Sequence, residues 1–316
     1  MALLTLLTPP QRDAVRVNIV RLIELTARIS SVIRQTDADI SVRIDPIAYV
    51  LRTFSRVYHL NSDCTLAVAK EENFGDTVAT QAAESSSDLT VIPWTIIQSG
   101  EEDDLSEVAL LDELENNRSQ TQYIRSLFKQ VHGPIAVAVD RGLGNPGHRT
   151  RVVDEHGAVQ AHPTSELGQT CLFRMLFTGG EDDRIALQIA QLIALHNQKV
   201  QVIRLQNTII GETNAIPDPD DEKALKECNL SVTTVSSETE LIESVKDLDH
   251  WDAIILGRGD HDRGRVLGNL SRKLAESHNR ASLIVVRASL PLDPTMTGIE
   301  SMEKGTYMSR QSTSGM

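Results

Sequence analysis

The sequence predicts an α/β fold: two tandem lobes, each built on a parallel sheet with helices on its faces. Three observations carry this. Short apolar runs alternate with amphipathic stretches of about 10 to 15 residues along most of the 316-residue chain, which is the order of βαβ units. Several of those runs are continuously apolar rather than alternating, the style of strands covered on both faces. Hydrophobic residues make up 40% of the composition but aromatic residues only 3%, so the core rests on Leu, Ile, Val and Ala, which suits layered α/β packing.

The elements follow in order. "VRVNIVRLIEL" (Val15 to Leu25) is β-branched and partly alternating and reads as a strand. "DPIAYVLRTFSRVYHL" opens a helix, with Asp45 as N-cap and Pro46 at the first helical position. "CTLAVA" (Cys64 to Ala69) is a strand and "GDTVATQAAESSS" a helix ended by serines. "DLTVIPW" (Asp88 to Trp94) and "GPIAVAVD" (Gly133 to Asp140) are two further strands, separated by the acidic stretch "QSGEEDDLSEVALLDELENN" running into a helix.

Residues 141 to 168 are rich in Gly, Pro and polar side chains without periodicity, so they read as a linker or inserted loop. The pattern then restarts: "CLFRMLF", "KVQVIRL", "LSVTTVS", "WDAIILG" and "SLIVVRA" are strands, and "DDRIALQIAQLIALHN", "PDPDDEKALKEC", "SETELIESVKDL" and "RVLGNLSRKLAES" the helices between them. The restart points to duplication, with a first lobe at 1–145, a linker at 146–168, a second lobe at 169–290 and a polar, Met- and Ser-rich tail at 291–316.

Composition bounds the function. A net charge of -13 argues against a general nucleic-acid or anionic-membrane surface. Cys64, Cys171 and Cys228 lie far apart with no CxxC pair, which encodes neither a disulfide framework nor a zinc cluster and favours a reducing compartment. No window approaches the roughly 18 to 20 apolar residues that span a bilayer, and "MALLTLLTPPQRD" lacks the features of a secretory signal, so a soluble chain is expected.

In an open parallel sheet, ligands bind beyond the carboxyl ends of the strands. Three polar loops of the second half fall there: "TGGEDDR" (Thr178 to Arg184), "QNTIIGETN" and "GRGDHDRGRVLGN". Glycines in such loops let backbone N–H groups approach an anion, and a helix N-terminus adds its dipole. In the first loop, Asp182 or Glu181 is expected to cap the following helix, and its carboxylates would repel a phosphate. The loop starting at Gly257 is open to several readings: a phosphate cradle using Arg258, Arg263 and Arg265, a metal site at Asp260-His261-Asp262, an adhesion triplet at 258 to 260, or a solvated turn. Neighbouring residues seldom all reach one ion and no further ligand is spaced to complete a shell, so no metal is expected. The adhesion reading has no export signal behind it, and the loop lacks the Gly-Lys-Ser/Thr of a P-loop. No nucleophile elbow, HExxH or base-orienter constellation is present, so an enzyme is not expected.

Taken together, "IVRLIELTARISSVI", "DLTVIPW", "GPIAVAVDRGLG", "LFTGGEDDRIALQIAQLIA", "VQVIRL" and "WDAIILGRG" resemble the cytosolic C-terminal half of the cation/proton antiporters of the plant CHX and fungal KHA type. The specific feature is "VDRG" followed by "GGEDDRIAL", and the insertions and tail fit a fungal member better. The resemblance implies two universal-stress-protein-like (Rossmann-like) lobes, a helix at "MALLTLL", assembly as a homodimer, and a transmembrane antiporter domain as partner. It places the fragment on the cytoplasmic face of a membrane as a regulatory module.

The same resemblance implies an adenine-nucleotide site, for AMP or ATP, in the second lobe. Its residues would be Thr178, Gly179 and Gly180 after the first strand, Arg204 at the end of the second, Gly257, Arg258 and Gly259 after the fourth, and Gly268, Asn269, Leu270 and Ser271 opening the next helix. The sequence departs from the nucleotide-binding pattern of stress proteins in having one residue between Gly257 and Gly259 rather than two, and Gly268-Asn269 in place of the closing Gly-Ser or Gly-Thr. The alternatives are a structural dimerisation or protein-interaction module without a small ligand and, more weakly, a nucleotide-using enzyme.

Overall fold

Two sheets form among the residues that the computed structural model describes, which are 2–8, 15–25, 45–58, 60–94, 118–143, 171–196, 198–206, 218–249, 251–259, 266–277 and 281–289. The acidic stretch, the linker at 146–168, residues 260–265 and the tail lie outside them.

The first lobe comprises α1 (Ala2–Leu7), β1 (Arg16–Glu24), α2 (Pro46–Val57), β2 (Asn61–Ala69), α3 (Phe74–Glu84), β3 (Thr90–Trp94), α4 (Arg118–Gln130) and β4 (Ile135–Val139). The second comprises β5 (Leu172–Phe177), α5 (Glu181–Ala194), β6 (Lys199–Leu205), α6 (Pro219–Glu227), β7 (Ser231–Val235), α7 (Glu238–Glu243), β8 (Ala253–Gly257), α8 (Asn269–Glu276) and β9 (Ser282–Arg287). α2 begins as its sequence predicts: the Asp45 carboxylate accepts the Ala48 N–H at 2.7 Å, and Pro46 stands first, where its missing N–H costs nothing. α7 is shorter than its periodicity. Past Glu243 the N–H groups of Val245, Lys246 and Leu248 bond three residues back, and these tighter turns still bury Leu241, Val245 and Leu248.

β1 and β2 pair in parallel from Arg16↔Asn61 to Glu24↔Ala69. The other strands form one sheet in the order β3-β4-β9-β8-β5-β6-β7. All its pairings are parallel except β4 with β9, which is antiparallel and centred on Val137↔Val285. That centre acts as a local two-fold between the lobes. The apolar last strands of the two lobes therefore pair with each other inside one chain.

Each face of the shared sheet carries a core that ignores the lobe boundary. On one face Leu127 and Val137 of the first lobe pack with Leu241, Ile254 and Leu274 of the second. On the other, Leu3 and Ala136 join Phe173, Met175, Ala190 and Ile284. Leu3 belongs to α1, which packs against α5. Fully burying such side chains stabilises each by about 1.5 to 3 kcal/mol, so the seam is held by core packing as well as by its ladder.

Candidate functional site

Counted by its own strands, the second lobe runs 3-2-1-4-5, so its order reverses between β5 and β8. A crevice at the carboxyl ends of those two strands is where the fold class binds ligands. The structure brings the loop after Phe177 and the loop after Leu256 together at this point.

Asp183 plugs the base of the crevice. Its Oδ2 accepts the Thr178 N–H at 2.6 Å, the Thr178 hydroxyl at 2.9 Å and the Gly179 N–H at 2.8 Å, while Oδ1 accepts the Gly257 N–H at 2.7 Å. The residue is buried, and burial pushes its carboxyl up to about 6 against the hydrogen bonds that hold it down. Asp182 bridges to the neighbouring strands, with Oδ2 accepting the Gly259 N–H at 3.1 Å and Oδ1 the Ala288 N–H at 2.6 Å. Asp221 of α6 takes the Gly180 N–H at 3.0 Å and, on its other oxygen, Arg184 Nη1 at 2.7 Å. The backbone donors that would cradle a phosphate are thus bonded to the chain's own carboxylates.

This corrects the expected cap. The N-cap of α5 is Gly180, which provides no side-chain bond, and neither Glu181 nor Asp182 caps the helix. Asp183, in the first turn, reaches back to the loop instead, while Asp182 is drawn off to β8 and β9.

Two glycines are demanded by space. A Cβ on Gly257 would stand 2.4 Å from Asp183 Oδ1 and 2.7 Å from the Asp183 backbone nitrogen. Gly268, at φ +85°, would place a Cβ 2.3 Å from the Arg258 carbonyl oxygen. Both hold the β8–α8 loop against its surroundings.

The arginines of the expected site are already engaged. Arg204 pairs with Glu222 of α6 and holds that carboxyl below its usual range. Arg258 donates its backbone N–H to Val286 O at 2.7 Å and its Nε to Val266 O at 2.8 Å, and its guanidinium lies 5.1 Å from the centre of the Phe128 ring in the first lobe. Arg287, which the sequence reading missed, lies 5.7 Å from the same ring. Its Nη2 donates to Val131 O and Gly133 O at 2.6 and 2.9 Å, its Nε and Nη1 make no hydrogen bond, and burial pulls its pKa down to about 10. Nothing but its place at the end of an apolar strand marks it in the sequence. At the start of α8, Gly268 supplies no side-chain cap, Asn269 is exposed, Leu270 is half-buried and Ser271 donates its hydroxyl to Leu267 O at 2.7 Å.

The first lobe differs at the equivalent point. Carried across the Val137–Val285 two-fold, Gly257 falls on Pro93, which has no N–H to give. "VDRG" is a structural turn: Asp140 accepts the Gly142 and Leu143 N–H groups at 2.9 and 3.0 Å, and the Arg141 N–H meets Ser282 Oγ of β9 at 2.9 Å.

No group of three or more His, Cys, Asp or Glu among the described residues could hold a metal ion, and Asp260, His261 and Asp262 lie outside those residues. No helix among the described residues is long and apolar enough to cross a membrane.

Fold and crevice together define a doubly wound α/β protein whose two lobes share a sheet. Among solved structures the chain is similar to a universal stress protein from Archaeoglobus fulgidus DSM 4304, at 8% identity and a TM-score of 0.47 over 87% of this chain and 86% of that one. It is also similar to a functionally unknown protein, PA1789, from Pseudomonas aeruginosa PAO1, at 10% identity and a TM-score of 0.40 over 85% and 91%. A universal stress protein in complex with cAMP matches 38% of this chain and 98% of its own, at 15% identity and a TM-score of 0.26. No family model and no curated protein matches the sequence.

Proposed function

We propose that the chain is the soluble regulatory domain of a monovalent cation (K+)/proton antiporter, working on the cytoplasmic face of a membrane, and that its second lobe senses an adenine nucleotide. The motif run from "IVRLIELT" to "WDAIILGRG" supports the antiporter parent. The observation that carries the sensing is the topological switch point between β5 and β8, where Asp182 and Asp183 tie the Thr178 loop to Gly257 and Gly259 and where Gly268, at the start of α8, stands against Arg258.

The carboxylates narrow the ligand. Asp182, Asp183 and Asp221 already hold the N–H groups of Thr178, Gly179, Gly180, Gly257 and Gly259, and their charge opposes a triphosphate. A nucleotide with a single phosphate at the start of α8 avoids that conflict, so AMP is favoured over ATP. The same occupancy favours a second reading, a structural module that binds nothing small.

Thermal shift with AMP, ADP, ATP and cyclic nucleotides separates the two. Sensing predicts stabilisation by AMP greater than by ATP, lost in Asn269→Asp, whose added negative charge at the start of α8 opposes a phosphate there. No shift with any nucleotide at millimolar concentration sinks it. Substitutions at Gly257 or Gly268 would test packing rather than binding. The proposed partners are the antiporter's own transmembrane domain and a second copy of the chain. Because β4 and β9 are mutually paired, the dimer contact lies elsewhere than on those edges, and sedimentation as a monomer at micromolar concentration would refute it.

A further inference from the structure

β9 buries every one of its residues, and its last, Arg287, is only 5% exposed. Strand alternation sets the face: Leu283 and Val285 pack with Leu127 of α4, Ile284 and Val286 on the opposite side, so Arg287 falls on the α4 face. There Nη2 donates to Val131 O and Gly133 O, carbonyls that follow the end of α4, where a cation is favoured. Those bonds satisfy Nη2 alone. Nε and Nη1 are buried and bond nothing, and among the described residues no carboxylate pairs with this guanidinium.

We propose that Arg287, with Arg258 beside it, forms an oxyanion subsite at the seam between the lobes, and that its ligand is a phosphate group, free or carried as a monoester. The subsite does not depend on a nucleotide at the start of α8.

Buried donors on a charged group are seldom left unmatched, since each gives up its water without return. An apolar side chain would close the same seam without that loss, so the guanidinium is accounted for by what it can hold. Deprotonation does not relieve the loss, because with a pKa of about 10 Arg287 stays charged at neutral pH. Nor does the Phe128 ring, which both arginines share at 5.1 and 5.7 Å from its centre and which is a weaker acceptor than an anionic oxygen.

The surroundings set the ligand's charge. Arg258 stands close enough to oppose the charge on Arg287, and an anion beside both would turn that repulsion into attraction. Asp182 offsets the repulsion in part, but its oxygens accept the Gly259 and Ala288 N–H groups, and its own charge disfavours a polyphosphate. A single phosphate meets both conditions. Gly259 and Ser289 are exposed and Arg258 is half-buried, which leaves a small anion a way in from solvent. Because Arg287 also grips carbonyls of the first lobe, a phosphate held here bears on both lobes at once.

The test is calorimetric titration of the whole chain with inorganic phosphate at constant ionic strength, with chloride as control. The expected result is saturable binding at millimolar phosphate or below, weakened about tenfold or more in Arg287→Met and by less in Arg287→Lys, which keeps the charge but not the fork. Asn269→Asp should bind phosphate as the wild type does, which separates this subsite from a nucleotide at α8. Displacement of phosphate by AMP would identify the monoester as the ligand, and undisturbed phosphate binding in the presence of AMP would identify the free ion. No binding at millimolar phosphate overturns the proposal, as does equal binding by a folded Arg287→Met or loss of binding in Asn269→Asp. Should neither Arg287 variant fold, the arginine Nε–H NMR signals of the wild type decide. Phosphate must shift a signal that contacts the Phe128 ring, and if none moves the proposal is refuted.

Discussion

Asp183 and Gly257 meet across the β5–β8 crevice so closely that the Gly257 N–H bonds Asp183 Oδ1 at 2.7 Å and a Cβ on Gly257 would stand 2.4 Å from that same oxygen. The contact ties α5 to the end of β8. It is the junction through which the loop after the fourth strand is held.

Gly257→Ala should therefore destabilise the protein by about 2 to 3 kcal/mol, because the obstructing atoms include α5 backbone that cannot swing away. Gly259→Ala is the comparison: at φ +74° with nothing within 4 Å, it carries only backbone strain, about 1 kcal/mol. Urea unfolding of the two variants should show that order, and equal effects would disprove the packing account.

Asp183→Asn should cost about 2 kcal/mol at acidic pH, since an amide NH2 accepts no hydrogen bond and would face N–H donors that either oxygen of the protonated carboxyl can still accept. The sign of the pH dependence follows from burial. The native carboxyl titrates near 6 and the unfolded one near 3.8, so between those values the native state holds a proton the unfolded state has released. Asp183's contribution is complete below 3.8 and is lost as the pH rises through about 6. The gap in Tm between wild type and Asp183→Asn should be widest near pH 4 and narrow by pH 7, whereas a constant gap would count against this titration.

The shared sheet predicts that both lobes unfold together. Trp94 reports on the first lobe and Trp251 on the second, so Trp251→Phe and Trp94→Phe each leave a single fluorophore. Their denaturation midpoints, each compared with circular dichroism on the same variant, should coincide with the loss of helix. Two separated transitions would show that the seam does not couple the lobes.

Phe128→Ala removes the first-lobe ring beside both Arg258 and Arg287 and should cost about 3 kcal/mol. The loss should appear at the Trp94 and Trp251 reporters alike. A change confined to one lobe would mean that the arginines are held without the ring.

The strands were legible because continuous apolar runs such as "KVQVIRL" and "SLIVVRA" leave few alternatives in an alternating chain. "DPIAYVLRTF" announced its own start through Asp45 and Pro46. The site was legible in position only. That Gly257, Gly259 and Thr178 converge follows from strand order, but whether their N–H groups await a ligand depends on where three aspartates point, and no periodicity records that. "GGEDDR" reads as a helix start with acidic dipole partners, and the carboxylates instead serve neighbouring strands. Arg287 was hidden for a related reason: its burial comes from the other lobe, more than a hundred residues away in sequence.

The antiparallel pairing of β4 with β9 also orders events during synthesis. β4 ends at Val139, but its partner ends at Arg287, so the chain must add the whole second lobe before the seam can close. At ordinary elongation rates that interval is on the order of ten seconds, during which an apolar strand edge waits unpaired beside the ribosome. Nascent chains stalled before residue 282 should be the form of this protein that chaperones hold and that aggregates when they are withdrawn.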